Sequence, residues 1–194
     1  DDVTHDSLKA AAKGRLGDYE EAIELYGSVL ERFPGQPKIW MSYGHLLKTV
    51  GQQAESVAAY RRALDIAPGL GEVWWSLANL KTVRFDDADI ALMEAGLARS
   101  DISSEDRFHL HFALGKALED RKEAAASFHH YDEGNRLRAA ELESHERNVT
   151  RHVEVAKALF TPEFFAQRAG QGCDAADPVF ILGLPRAGST LLEQ

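Results

Sequence analysis

One cysteine stands among 194 residues, so an internal disulfide and a cysteine-based zinc site are both excluded. That residue, Cys173, lies in a glycine-flanked stretch where an inert, exposed thiol is expected. No run of 18 apolar residues occurs, which excludes an apolar transmembrane helix. Positive charge is scarce. Lys and Arg number 22 against 31 Asp and Glu, for a net charge of −9, the wrong sign for wrapping nucleic acid. A basic or polar protein surface suits this balance better. The eight histidines form no H-E-x-x-H pattern. His109 and His111 diverge on a helix, as do His129 and His130, while His145 and His152 lie about 10 Å apart along the axis, so no metal site is expected. The chain opens on Asp1 with no signal-peptide pattern, and a cytoplasmic location away from membranes is expected. The apolar fraction, 44%, is that of an ordinary folded chain of one or two domains.

What the sequence does contain is a repeat. A shift of 34 residues maps Gly17 onto Gly51, Tyr26 onto Tyr60, Leu30 onto Leu64, Pro34 onto Pro68 and Trp40 onto Trp74. Ala22, Ser56 and Ile90 share one place. A fourth copy follows after a slip of three residues, with Leu114, Gly115, Leu118, Ser127, Tyr131 and Gly134. Within a copy, Trp40, Tyr43, Gly44 and Leu47 make one helical face, and Ser56, Tyr60 and Ala63 make its partner. Gly44, or Ala78 in its place, lets the facing helix come close. Gly51 ends the first helix and Pro68 lies just past the second. A lone hairpin cannot bury its stripe, so the copies must stack. The residues at 40–68 resemble the tetratricopeptide repeat family. Four copies are expected over residues 1–138, the first with Asp6 for the tryptophan, the third with Phe85 where the glycine falls, and the fourth with His111 for the tryptophan. Asp86, Asp87 and Asp89 are expected to open a helix as a solvated first turn.

A stack needs a cap. Val149, Val153, Ala156 and Phe160 define an amphipathic helix expected to close the last hairpin. Thr161, Pro162 and Glu163 read as N-cap, first-turn proline and first-turn acid of a further short helix. Capping helices are thus expected over 139–170, a linker over 171–178, and a new domain from 179.

That last segment, FILGLPRAGSTLLEQ at 180–194, reads as a buried strand, a glycine turn and a helix start. Free amides at a helix N-terminus attract phosphate or sulfate. Gly183 and Gly188 bracket four residues, as in G-x-x-x-x-G-K-[ST]. Ser189 occupies the lysine's place, which weakens the kinase or nucleoside-triphosphatase alternative. The motif, with Arg186 three residues earlier, resembles the sulfotransferases, and PVFILGLPRAGSTLLEQ is most similar to bacterial members with N-terminal tetratricopeptide repeats, relatives of the tyrosylprotein sulfotransferases. LKTVRFDDADI and HFALGKALED are similar to the same group.

The resemblance implies a mostly α chain: a superhelix of about four hairpins with a capping helix, then the first β-loop-α of an incomplete α/β sulfotransferase domain. It implies that 3′-phosphoadenosine 5′-phosphosulfate is the cofactor of the parent protein, whose sulfuryl group is transferred to a hydroxyl of a protein or glycan, the nucleotide leaving as its 5′-phosphate. Arg186, whose guanidinium grips phosphate oxygens bidentately and resists deprotonation, is cast as the electrostatic clamp on the leaving phosphate. Ala187, Gly188, Ser189 and Thr190 complete the cradle, Gly188 by allowing close backbone approach. Catalytic base and acceptor contacts lie downstream in that family, so this segment alone is expected to be inactive. The apolar strand, without sheet partners, is expected to be disordered, to pack on the repeats or to pair with a second copy.

The other reading is a binding module, or a scaffold with no catalytic role. Trp74 and Trp75 point about 100° apart on a helix. Trp74 takes the packing stripe. By the same resemblance Trp75 faces a groove, with Lys38, Met41, His45 and Lys48 from the second copy, Asn79 and Thr82 from the third, and His109, Phe112 and Lys116 from the fourth. Such a mixture of aromatics, amides and charges suits a protein or peptide partner. Packing of Trp75 and Phe112 against another domain or chain stays open beside it.

Overall fold

A computed structural model describes residues 3–171, with side chains other than those of 143–149. Every regular element among the described residues is a helix. In chain order they are α1 (Val3–Leu16), α2 (Tyr19–Arg32), α3 (Pro37–Thr49), α4 (Gln53–Ile66), α5 (Gly71–Asn79), α6 (Asp87–Ala98), α7 (Ser104–Asp120), α8 (Ala124–Leu159) and α9 (Pro162–Ala166). They fall into two compact units divided between Glu143 and Ser144. The first unit is four successive helical pairs, in the places the repeat predicts. The strand-loop-helix expected at 179–194 lies outside the described residues, as do Arg186, Ala187, Gly188, Ser189 and Thr190.

The second and fourth pairs are closed by the same interlock. In the second, Gly44 is buried and an added Cβ would sit 2.6 Å from the Tyr60 ring. Ser56 Oγ donates to the Gly44 carbonyl oxygen at 2.8 Å. The fourth pair repeats both contacts: a Cβ on Gly115 would meet the Tyr131 ring at 2.9 Å, and Ser127 Oγ donates to the Gly115 carbonyl at 2.8 Å. The first pair uses Ala10 and Ala22, both fully buried, with Tyr26 beside them. Trp40 and Trp74 fasten the preceding loops, each indole N–H donating to a proline carbonyl six residues back, Pro34 at 2.8 Å and Pro68 at 2.9 Å.

The turns recur as well. Gly17, Gly51 and Lys122 follow α1, α3 and α7 with φ of +89°, +81° and +65°. After each, the next residue donates to the carbonyl five back: Asp18 to Lys13, Gln52 to Leu47 and Glu123 to Leu118. These are Schellman-type ends that consume the orphan carbonyls of the helix. Lysine holds this left-handed position less easily than glycine because its Cβ crowds the carbonyl.

The third pair departs. Helix α5 is only nine residues long, and the connection after it carries Lys81 at φ +60°. Phe85, in the glycine's place, is buried edge-on against Trp74 with centroids 5.8 Å apart. The expected solvated turn at Asp86–Asp89 is corrected here. Asp86 Oδ1 accepts the Asp89 N–H at 2.8 Å in a capping box, and Asp87 is exposed, but Asp89 is 7% exposed. Its carboxylate takes both guanidinium nitrogens of Arg61, which in turn lies 5.8 Å over the Trp74 ring. A buried carboxylate needs such a partner, and periodicity alone places no residue opposite it.

The capping element is corrected too. No separate helix starts near 139; α8 runs 36 residues without interruption. Val153, Ala156 and Phe160 of the expected stripe fall in the second unit. In the second unit, α9 begins as predicted, with Thr161 Oγ1 accepting the Phe164 N–H at 3.2 Å. Arg168 lies 3.8 Å over the Phe164 ring.

Gly44→Ala should lower unfolding free energy by about 1–3 kcal/mol, because a methyl group must displace a ring packed into a full core. Lys122→Gly should raise it by about 0.5–1 kcal/mol by relieving the left-handed backbone. Urea denaturation followed by circular dichroism measures both. A neutral Gly44→Ala would show that the interlock is loose.

Candidate functional site

The ten groove residues expected from sequence lie on α3, α5, α7 and the connection after α5, and the structure sorts them. Lys38 and Lys48 stand exposed near the two ends of α3, and Asn79 and Thr82 are exposed at the end of α5 and beyond. Thr82 Oγ1 accepts the Gln53 side-chain amide. Met41 is half-buried against the main core. His45 is a seam residue: its Nε2 lies 3.1 Å from Ser76 Oγ, and its ring meets Tyr60 edge-on at 5.4 Å. Lys116 is tied to Asp120, the carboxylate that also takes Arg84.

Trp75, His109 and Phe112 are brought together. The Trp75 and Phe112 rings are 5.4 Å apart, and Phe108 lies 6.1 Å from Phe112 and 4.4 Å from the His109 ring. Helices α5 and α7 come close because Gly71 has no side chain: its N–H donates to Asp106 Oδ1 at 2.9 Å, and a Cβ there would collide with the Asp106 backbone. Phe112 also lies on Gly134 of α8, whose added Cβ would meet the ring at 2.9 Å. Phe112 is therefore a packing residue between three helices as well as a groove residue.

Around this cluster opens a cleft of 210 Å³ lined by Trp75, Glu105, Phe108, His109, Phe112 and Arg138. Arg138 forms one wall, its guanidinium 5.1 Å over the Phe108 ring, a cation–π arrangement. His109 Nδ1 is buried with no hydrogen-bond partner. Such an atom costs free energy until something pairs with it. Sequence reasoning missed Phe108, Glu105 and Arg138. Phe108 was within reach, one helical turn before Phe112. Arg138 belongs to a second helix, and no repeat position announces it. A second cleft, between α1 and α3, is lined by Ala10, Ala11, Gly14, Tyr26, His45 and Leu46 among others. It reaches the first copy, where small residues of α1 lie beside Tyr19 and Tyr26.

Burial pushes the imidazoles of His45 and His109 below the ordinary histidine value, with Lys48 adding to the effect at His45.

The comparisons agree with this architecture. Tetratricopeptide repeat profiles match residues 8–46 and 37–69. Tetratricopeptide repeats are thus matched over residues 8–69. It is 29% identical over 178 residues to an uncharacterized protein of Aquifex aeolicus, covering 90% of this chain but only 22% of that relative's length. Among solved structures, the MamA protein superposes with a TM-score of 0.55 at 15% identity, over 89% of this chain and 97% of the other. PilW, a widely conserved type IV pilus biogenesis factor, gives 0.54 at 14% identity over 68% and 60%. BtubC from P. vanneervenii gives 0.54 at 18% over 72% and 64%. At such identities the likeness concerns the fold alone. None of these matches carries a sulfotransferase relationship. Among the described residues, no helix is long and apolar enough to cross a membrane.

Two outcomes follow for the isolated chain. Phe112→Ala should cost about 2–4 kcal/mol even with no partner present, since a half-buried ring leaves a gap on Gly134; an unchanged denaturation midpoint would return Phe112 to a purely binding role. Because the folded pKa values of His45 and His109 lie below the unfolded value, the unfolded chain binds more protons in that window. Their contribution to stability is complete above the unfolded pKa of about 6.5 and is lost as pH falls through it toward the folded values. His45→Gln should flatten the pH dependence of Tm measured by scanning calorimetry between pH 7 and 5.

Proposed function

We propose that this chain is a protein-binding module whose α3–α5–α7 face receives a peptide segment, with the Trp75–Phe108–Phe112 cleft as its anchor pocket. The observation that carries this reading is the cleft itself. It joins aromatic walls, a cation and a buried imidazole nitrogen with no partner, the combination of apolar area and unmet hydrogen bonding that binding hot spots use. Lys38 and Lys48 extend the face with exposed cations at each end of α3. The matched repeats, which stack helical pairs so as to leave such a face, support it.

A displayed peptide library selected on this chain, followed by fluorescence anisotropy of the enriched sequences, tests it. Trp75→Phe and Arg138→Ala should each weaken the selected peptides by about tenfold or more, the cost of a hot-spot residue. Enriched peptides that bind these variants as tightly as the parent chain would place recognition elsewhere.

A second reading rests on the sequence G-L-P-R-A-G-S-T at Gly183–Thr190. On this reading the whole protein transfers a sulfuryl group from 3′-phosphoadenosine 5′-phosphosulfate to a protein or glycan hydroxyl that the repeats recruit, and the chain ends form a dimer through the apolar segment before Gly183. The support is the motif and its arginine. In the full-length gene product, Arg186→Ala should weaken 3′-phosphoadenosine 5′-phosphate at least about tenfold, as loss of a bidentate charged contact does. Hydrolysis of ATP with indifference to that nucleotide would replace this reading with a phosphate-loop nucleotidase.

A further inference from the structure

The fourth repeat carries a histidine where the second and third carry tryptophan. Trp40 and Trp74 turn their indole N–H groups to a proline carbonyl. His111 turns instead toward α8, and its Nδ1 lies 3.1 Å from Nδ1 of His130. The rings are 5.2 Å apart and tilted by 42°. Both residues are half-buried. One shared hydrogen can satisfy the pair, donated by whichever ring carries it.

The same separation suits a different occupant. Imidazole nitrogens bind zinc and its neighbours at about 2.0–2.1 Å, so two nitrogens on one ion, at angles from 90° to tetrahedral, stand about 2.9–3.4 Å apart. The observed 3.1 Å falls inside that span. We propose that His111 and His130 form a two-imidazole site for a late first-row divalent cation, zinc or nickel, that cross-links α7 to α8. Metal takes the place of the shared hydrogen: the donor ring's proton moves from Nδ1 to Nε2 by exchange with solvent, so both rings stay neutral, ligate through Nδ1 and carry their one proton on Nε2.

The charged groups around the pair carry both signs. Glu133 from α8 acts on His111 and Glu94 from α6 acts on His130, against His129 and Arg107 with the opposite sign. Among the described residues no group of three or more His, Cys, Asp or Glu side chains converges as a complete cage. The remaining positions on the ion therefore belong to water, or to Glu133 after it releases Arg136, its present partner at 2.8 Å. An open, two-ligand site of this kind binds weakly and reversibly.

The test uses the untagged chain at pH 7.4, titrated calorimetrically with zinc chloride and, separately, nickel chloride, with Tm recorded in parallel. One ion per chain and a rise in Tm that grows with metal concentration are expected. His111→Trp restores the residue of the second and third repeats and so keeps a packing group in place. It should weaken binding at least about tenfold and remove the Tm rise, as loss of a metal ligand does. His130→Phe, checked for helicity by circular dichroism, should do the same, while His129→Ala should retain both. Absence of binding at millimolar metal, undiminished binding in His111→Trp and His130→Phe, or loss confined to His129→Ala would each overturn the site, the last two by assigning the ion to surface histidines.

Discussion

The contact on which the stack depends is a bare patch of helix backbone under a tyrosine ring. At Gly44 and Gly115 the first helix of a pair has no side chain, and the ring from the second helix lies where a Cβ would be. The serine one turn earlier on the second helix fixes the register by donating to that glycine's carbonyl. Neither contact is large alone. Together they set how close the two axes come and how one helix is rotated against the other, and every outward-facing position inherits its direction from that rotation. The Trp75–Phe112 cluster depends on the same constraint, since Gly115 and Tyr131 hold α7 against α8 and Phe112 of α7 lies between Trp75 and Gly134.

The third repeat shows what happens when the interlock is absent. Ala78 stands for the glycine, Ile90 for the serine and Glu94 for the tyrosine. The first helix is shortened, Phe85 fills the space against Trp74, and the Arg61–Asp89 pair joins this repeat to the one before. Apolar filling and a buried ion pair thus replace ring-on-backbone packing. Removing Arg61 would leave the buried Asp89 carboxylate without its cation, whereas Arg61, partly exposed, would still reach water, so the constraint falls on the carboxylate side.

How much of this was legible follows from distance along the chain. The four helical pairs, Gly51 as a turn, Trp74 as a packing residue, Trp75 on another face and Thr161 as a cap all rest on contacts within about one repeat, and periodicity reports those. Asp89 was misread because its partner, Arg61, lies 28 residues away, and a first-turn acid looks solvated unless that partner is known. Phe112 was only half understood because Gly134 lies on the following helix. The His111–His130 pair was invisible for a related reason: comparing histidines along one helix misses a meeting across two. The start of the capping helix was misread because an amphipathic stripe marks a helical face, not where the helix begins, and α8 runs through 139 without a break. The phosphate-loop reading at Arg186 belongs to residues beyond those described, and motif chemistry alone carries it.

The recurring turn has an evolutionary meaning. Gly17 and Gly51 stand 34 residues apart in the same left-handed geometry, with the same carbonyl taken up behind them. Unequal crossing-over between two such points inserts or deletes a whole repeat while leaving each junction's backbone unchanged, so array length can vary without any new loop having to be invented. Beyond Gly51 the spacing breaks: the third repeat turns at Lys81 instead of residue 85, and the turn recurs only at Lys122, so exchange across the later junctions would be out of register.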